Sequence, residues 1–357
     1  MSILEEAALE AQQAAEGQQA ATTVEGRTQW QLTWRRLRSD KVSMIALTVI
    51  IIMVLLAIFA PAIASLVHHP VDTAYPDTGE NLDGNPVGPG TNGFLLGTDS
   101  TGRDLLVRIL YGARISLFVG VVTTLIATVF GVGIGLIAGY FGGFIDTVLA
   151  RFTDAVLAFP YVVLALALAV VFGPSLTLIV AMITFFSWAG IARIVRGQTL
   201  SIKEKEYIEA ARSLGAGPFR IMFFDILPNL LAPVLVVATL YIPNAVVFES
   251  TLSYLGLGIQ PPTPSWGNML SDASNFYQVA WWYVFFPALF LLITTLAFNL
   301  LGDGIRDAMD PRTERLILAR KMRKRLRKSK GRQVLVAAAA TDGGGAGEAA
   351  GSAGTGE

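Results

Sequence analysis

The chain alternates between long apolar runs and polar segments that contain most of its charged residues. A helix needs about 20 predominantly apolar residues to cross a lipid bilayer, and six runs approach that length. They lie at Val42–Leu66, Ile115–Tyr140, Ala155–Phe172, Leu176–Ile194, Leu230–Phe248 and Val279–Leu301. The pattern predicts an all-α polytopic membrane protein with six transmembrane helices.

The polar segments divide the chain into five parts. A tail at 1–41 precedes the first span at 42–66, and a loop at 67–114 separates that span from a five-span core at 115–302. A second tail follows at 303–357. About forty polar residues precede the first span, so we expect an anchor that is retained rather than a signal peptide. Most of the first tail is predicted to be disordered or loosely helical, and the Ala/Gly-rich end of the second to be disordered.

Basic residues mark one side of the membrane. Lys and Arg cluster before the first span, between the fourth and fifth spans, and in Arg320–Arg332. Tyr254–Gln278 has neither, and the loop at 67–114 has more acidic than basic residues. Because cytoplasmic loops are enriched in Lys and Arg, both termini and Tyr207–Asn229 are predicted to be cytoplasmic.

Composition agrees with a membrane protein and narrows the chemistry. The chain is 53% hydrophobic and 15% charged, with a mean hydropathy of +0.55, whereas ordinary soluble domains are about 25% charged. The absence of cysteine excludes disulfides, thiolate metal sites and cysteine catalysis. The two histidines, His68 and His69, are adjacent and predicted to be ordinary loop residues. With no Walker-type loop and no Ser/His/Asp arrangement, we expect no enzyme activity, no metal and no nucleic-acid partner.

The second span carries a stripe of glycines in GVGIGLIAGYFGG, at Gly131, Gly135, Gly139 and Gly143. Residues four apart share one face of a helix, and glycines there let a neighbouring backbone approach closely. The stripe predicts tight helix packing. A sliding contact between helices is the alternative.

Ionisable groups near the spans are few. Glu249 follows IPNAVVF in the fifth span and is a candidate for a substrate or gating role. Its place near the outer end of that span predicts that water reaches it. Asp146, Arg151 and Asp154 lie near the inner surface and are predicted to form local ion pairs.

The polar stretch between the fourth and fifth spans is longer than a connector needs. Lys203–Leu214 is predicted to be a helix that ends at Gly215, since glycine is the usual C-cap. An apolar segment, Phe219–Leu227, follows and is predicted to end at Pro228. A helix this short is unstable alone, so we expect it to dock on a soluble partner, or alternatively to lie on the lipid surface.

This stretch resembles the EAA signature of the permeases of ATP-binding-cassette (ABC) importers. In that signature Glu-Ala-Ala is followed by Gly and then by Leu-Pro, here Glu209, Ala210, Ala211, Gly215, Leu227 and Pro228. Asp225 departs from the pattern, which prefers an aliphatic residue there. The resemblance implies that residues 198–228, the EAA loop, form a cytoplasmic coupling-helix loop that fits a cleft on an ATP-hydrolysing subunit.

Two further stretches are similar to segments of the C-type permeases of dipeptide, oligopeptide and nickel importers. They are LGTDSTGRDLLVRILYGARISL at Leu96–Leu117 and ESTLSYLGLGIQPPTPSWGNML at Glu249–Leu270. Both fall outside the cytoplasm in the topology above. The residues carried over as extracytoplasmic family motifs are Gly97, Thr98, Asp99, Gly102, Arg103, Asp104, Pro261, Pro262, Trp266, Gly267 and Asn268.

Together the three stretches imply a type I ABC importer permease fold in a prokaryotic cytoplasmic membrane. The implied function is to form, with a second homologous permease, the path for di- or oligopeptides, with Glu249 as a candidate path residue. A solute-binding protein would deliver the substrate, and two ATPase subunits would bind the ATP and Mg, leaving this chain without a cofactor. The alternative is an ion-coupled secondary transporter, which usually carries acidic residues or broken helices near mid-membrane. A scaffold or a membrane enzyme is a weaker rival.

Overall fold

The computed structural model of the chain describes residues 29–309, and every regular element within them is a helix. The predictions for most of the two tails, including the basic cluster Arg320–Arg332, lie outside these residues. The helices are α1 (Gln29–Ser39), α2 (Lys41–Ile58), α3 (Ala60–Val67), α4 (Leu105–Phe141), α5 (Gly143–Ala158), α6 (Tyr161–Phe172), α7 (Leu176–Lys203), α8 (Glu206–Ser213), α9 (Pro218–Tyr254), α10 (Trp266–Ala273) and α11 (Trp281–Met309), with one further helical turn at Pro76–Gly79.

Five of these helices are long and apolar enough to cross a membrane: α2, α4, α7, α9 and α11. The third predicted span, Ala155–Phe172, is not one straight helix. It is divided between α5 and α6, which are bent by 76° at the break around Phe159 and Pro160. Proline lacks the N–H that would continue the helical ladder, so the break falls where the sequence places Pro160.

The first predicted span, Val42–Leu66, is also divided, between α2 and α3. Asp40 caps α2 by accepting hydrogen bonds from the backbone N–H groups of Val42 and Ser43. The Ser43 hydroxyl donates to the same carboxylate and is the main reason that the pKa of Asp40 is lowered. Pro61 then lies in the first turn of α3, where its missing N–H has no helical partner to lose.

The fifth span is longer than the sequence predicts, because α9 runs without a stop from Pro218 to Tyr254. The predicted end of the apolar segment at Pro228 is therefore wrong. Residues Ile221–Ile226 form a π-helical stretch, and the N–H of Leu227 donates to the Met222 carbonyl five residues back. Pro228 thus lies in the first turn of the α-helical part that follows, where proline is tolerated.

The glycine stripe packs α4 against α7. A Cβ added at Gly131 would lie 2.8 Å from Ile191, one at Gly135 would lie 2.6 Å from the Ala192 carbonyl oxygen, and one at Gly139 would lie 2.6 Å from Thr199. Gly143 is not part of the stripe, because α4 ends at Phe141 and Gly143 begins α5 with φ +55°. The tight packing that the sequence predicts is confirmed for the first three glycines.

Replacing Gly135 with leucine is therefore expected to destabilise the chain. Overpacking a close contact costs about 1–3 kcal/mol, and here the neighbour at 2.6 Å is backbone that cannot turn aside. The matched control is Gly133→Leu, because a Cβ at Gly133 would meet no atom within 4 Å. Thermal unfolding of the chain in detergent should give a lower midpoint for Gly135→Leu than for Gly133→Leu. Equal midpoints would contradict the packing role.

Two ion pairs join α5 to α7. Arg196 donates to both oxygens of Asp146, with Nη2 at 2.7 Å from Oδ2 and Nε on Oδ1. Arg193 Nη2 lies 2.6 Å from Asp154 Oδ1, and both side chains of that pair are more than half exposed. Asp146 and Asp154 thus form ion pairs as predicted, but both partners lie on α7, beyond α6, rather than close by in the chain.

Candidate functional site

The EAA loop lies at one end of the bundle, between the end of α7 and the start of α9. Its helix α8 spans Glu206–Ser213 and is shorter than the predicted Lys203–Leu214, because α7 continues to Lys203 before the chain turns. Ile208 is its one buried side chain and belongs to a cluster with Ile202 of α7 and Ile221 of α9. Most other residues of α8 are exposed.

The helix ends in the glycine C-cap that the sequence predicts. The N–H of Ala216 donates to the Ala211 carbonyl and that of Gly215 to the Arg212 carbonyl, both at 3.0 Å, which is a Schellman motif. Gly215 has φ +81°, a conformation that glycine adopts without steric cost. A Cβ there would meet no atom within 4 Å. Within the described residues, Gly215 is therefore needed for its backbone conformation and not for close packing.

Large apolar side chains flank this turn and are uncovered. Leu214 is 89% exposed and Phe219 is 72% exposed, while Glu209 and Ala210 lie on the open side of α8. We call Glu209, Ala210, Leu214, Gly215 and Phe219 the EAA surface. The EAA surface thus combines two exposed apolar side chains with two small residues and one acidic residue.

The last two residues of the signature are not part of that surface. Leu227 is partly buried and packs on the same cluster as Ile208. Pro228 is exposed at the junction between the π-helical and α-helical parts of α9. The structure therefore brings Glu209, Ala210 and Gly215 together and assigns Leu227 a packing contact.

The first family motif, Leu96–Leu117, forms the turn that precedes α4 and the first turns of that helix. Asp104 is the N-cap of α4 and accepts from the Val107 N–H at 3.1 Å. Thr98 is buried, and its hydroxyl donates to the Gly79 carbonyl at 2.6 Å and accepts from the Val87 N–H. Gly97 and Gly102 have positive φ, and a Cβ at Gly97 would lie 2.6 Å from the Val87 carbonyl oxygen.

Asp99 is the centre of this motif and is fully buried. Its carboxylate accepts from Arg103 Nε at 2.7 Å and lies 3.0 Å from Arg108 Nε. Arg108, 2% exposed, also reaches the Val71 and Pro262 carbonyls at 3.4 Å each. It thereby joins α4 to the loop that precedes it and to the loop before α10. This role was not predicted from the sequence, although Arg108 lies within the motif.

His69 belongs to the same region. Its Nδ1 lies 2.6 Å from Asp104 Oδ2, and its ring stacks on Phe94 at a centroid distance of 4.6 Å. This contact makes His69 a structural partner of the α4 cap rather than a plain loop residue. Among residues 29–309, no group of three or more His, Asp and Glu side chains is placed to hold a metal ion.

The second family motif anchors α10 between α4 and α9. Trp266 is fully buried, and its Nε1 donates to the Ile109 carbonyl of α4 at 3.2 Å. Asn268 completes a capping box with Ser265 and also donates to the Ile259 and Thr263 carbonyls. Gly267 is in close contact with the Ser250 backbone, so a side chain there would clash. Pro261 and Pro262 are joined by a cis peptide bond in the loop that precedes α10.

Glu249 differs from its prediction, because it is fully buried and water does not reach it in this structure. Its carboxylate accepts from Ser253 at 2.7 Å, from Ser116 of α4 at 3.0 Å and from Ser250 at 3.4 Å. Among the described residues, no Lys, Arg or His forms an ion pair with it. Glu249 therefore ties α9 to α4 through serine hydroxyls.

The long apolar helices and the bent pair define a multi-pass membrane protein. A family model described as "binding-protein-dependent transport system inner membrane component" matches residues 131–315. A second model, the "N-terminal TM domain of oligopeptide transport permease C", matches residues 28–83. The chain belongs to this family of transport permeases.

Curated relatives agree over most of the chain. It is 42% identical over 283 residues to the dipeptide transport system permease protein DppC of Bacillus subtilis, covering 79% of this chain and 85% of the relative. It is 42% identical over 289 residues to the oligopeptide transport system permease protein OppC of Escherichia coli, covering 81% and 93%. These relatives are permease proteins by name, and they give no support to an ion-coupled transporter.

One similar solved structure is an inward-facing form of the MetNI methionine ABC transporter. It is 20% identical, has a TM-score of 0.48, and covers 57% of this chain and 96% of that chain.

Proposed function

We propose that the chain is one of two permeases of an ATP-driven importer that moves di- or oligopeptides into the cell. The EAA surface carries the proposal, because it is an uncovered apolar and small-residue patch on the loop that the resemblance assigns to an ATPase contact. The names of the relatives, dipeptide and oligopeptide transport permeases, support the substrate class.

The remaining partners follow from the same proposal. A second homologous permease would complete the path, two ATPase subunits would bind ATP and Mg at the EAA loops, and a solute-binding protein would deliver peptide from outside. The excess of Lys and Arg on the EAA side supports an arrangement with both termini in the cytoplasm. Hydrolysis then belongs to the partners and not to this chain.

Force would reach the path through α9. The EAA surface includes Phe219, and α9 continues from Pro218 to Tyr254, a length of about 55 Å at 1.5 Å per residue. A closing ATPase that moves α8 and Phe219 would tilt this continuous helix and carry the far end with it. The nucleotide thus shifts the population between inward- and outward-facing states, since it has different affinity for the two.

The test is purification of the chain from its native membrane in a gentle detergent, with mass spectrometry of the proteins that accompany it. We expect a second six-span permease and one or two Walker-type ATPases. A solute-binding protein that accompanies them would lead to the substrate. Repeated recovery of the chain alone, in several detergents, would contradict the proposal.

A further inference from the structure

A cavity of about 220 Å³ lies between α7, α9 and the break that separates α5 from α6. Its lining includes Phe159 at the break, Ser187 of α7, and Tyr241 and Asn244 of α9. Tyr241 is about 20 Å from Leu227 and about 20 Å from Tyr254 along the helix. The cavity is therefore near the middle of the membrane-spanning part of α9.

The break beside the cavity has a physical meaning. Backbone that is not helical is tolerated at membrane depth only where it is buried in protein or faces a water-filled cavity. Here Phe159 and Pro160 interrupt an apolar stretch of the chain, and Phe159 and Tyr161 both line the cavity. Secondary transporters place substrate sites at such discontinuous helices, and the same physical reason applies to a break beside a cavity in any membrane protein.

The lining is aromatic with a few neutral polar groups. The Tyr161 ring lies 5.1 Å from that of Phe248 and 6.0 Å from that of Phe186, measured between centroids. Ser187, Tyr241 and Asn244 complete the lining, and no charged side chain is among the residues that line this cavity. The Asn244 carboxamide also donates to the Leu240 carbonyl at 3.0 Å. An apolar pocket with a few polar groups binds a neutral ligand and orients it.

We propose that this cavity is a substrate subsite on the translocation path, which receives one uncharged side chain of the peptide while Ser187, Tyr241 and Asn244 face its amide groups. The inference rests on the proposed peptide importer. Sites for whole small ligands measure about 300–1,000 Å³, so a cavity of about 220 Å³ fits part of a peptide.

The experiment uses the complete importer in proteoliposomes, supplied with its binding protein loaded with Ala-Ala or Ala-Phe. Ser187→Trp fills the cavity and is expected to lower the Ala-Phe to Ala-Ala uptake ratio about tenfold, the discrimination that pocket shape gives for small apolar groups. Tyr161→Ala enlarges the cavity and is expected to raise the same ratio. The affinity of the separate binding protein for each peptide is measured in parallel. That protein is the same in every sample, so a change in the uptake ratio comes from the permease.

Matched controls lie on the same helices, outside the cavity. Ala181→Trp on α7 and Val163→Ala on α6 change exposed positions that do not line it, so the ratio is expected to stay at its wild-type value. A further pair alters Tyr241 indirectly. A Cβ at Gly190 would overlap the Tyr241 hydroxyl, whereas one at Gly197 would meet nothing within 4 Å. Gly190→Ala is therefore expected to change the ratio, and Gly197→Ala to leave it unchanged.

Three results would overturn the subsite. An unchanged ratio in Ser187→Trp and Tyr161→Ala, with wild-type peptide uptake intact, would remove the subsite and leave the proposed importer standing. Equal losses for both peptides, with loss of the second permease on purification, would assign the cavity to a contact between permeases. If the wild-type importer moved neither peptide, the proposed function would fail, and the subsite with it.

Discussion

Gly215→Arg is expected to reduce the ATPase that purifies with this chain by more than about tenfold, since a bulky charge at the centre of an interface costs 2 kcal/mol or more. The chain itself should still insert and fold. Its own loss is limited to the strain of a non-glycine residue at φ +81°, about 1–2 kcal/mol. Among residues 29–309, nothing lies close enough to Gly215 to clash.

Gly256→Arg is the matched control. Gly256 ends α9 with φ +77° in the same kind of Schellman motif, and a Cβ there would also meet no atom within 4 Å. It lies at the opposite end of α9 from the EAA surface, so the two variants share the backbone strain and differ in the surface they alter. The readouts are the amount of ATPase recovered per permease and the coupling of ATP hydrolysis to uptake. If the two variants retained equal ATPase, the EAA surface would not be the docking site.

Much of the fold could be predicted from the apolar pattern, because bilayer thickness fixes the length of a span. The capped helix before Gly215 was also predictable, since its signals are local: helix-forming residues followed by glycine. The predicted helix end at Pro228 was wrong. Proline is tolerated in the first turn of an α-helical segment, and such a segment begins directly after the π-helical stretch Ile221–Ile226. Local signals for the end of a helix thus succeeded for the glycine at 215 and failed for the proline at 228.

The errors have a common physical origin in contacts between distant parts of the chain. Counting residues along the fifth span correctly placed Glu249 near one end of its helix. Its burial, however, depends on Ser116 of α4, which is 133 residues away in the chain. The bend in the third span is a separate case: apolar residues lie on both sides of Pro160, so the hydrophobic pattern alone does not show it, and the local signal is the proline. Arg108 was visible in the motif, yet its contact with the Pro262 carbonyl, 154 residues on, needs the fold.

Asp99→Ala is expected to destabilise the chain by about 3–5 kcal/mol, the cost of leaving a buried charge without its partner. Arg108 would keep only contacts at 3.4 Å to two carbonyls and one at 3.8 Å to Asp72, which is 55% exposed. The turn that holds Gly102 and Arg103 would also lose the oxygen that accepts from the Thr101 and Arg103 N–H groups. Thermal unfolding in detergent and proteolysis of the loop at 67–104 are the measurements.

Two further variants separate the buried charge from the general loss of a carboxylate. Asp154→Ala breaks an ion pair of 2.6 Å whose side chains are both more than half exposed, so little change in stability is expected. Adding Arg108→Met to Asp99→Ala removes the uncompensated charge and should recover part of the lost stability, because hydrophobic residues can replace a buried pair at little cost. A double variant less stable than Asp99→Ala would show that Arg108 acts through its contacts with the two flanking loops. The motif would then owe its role to those contacts rather than to charge.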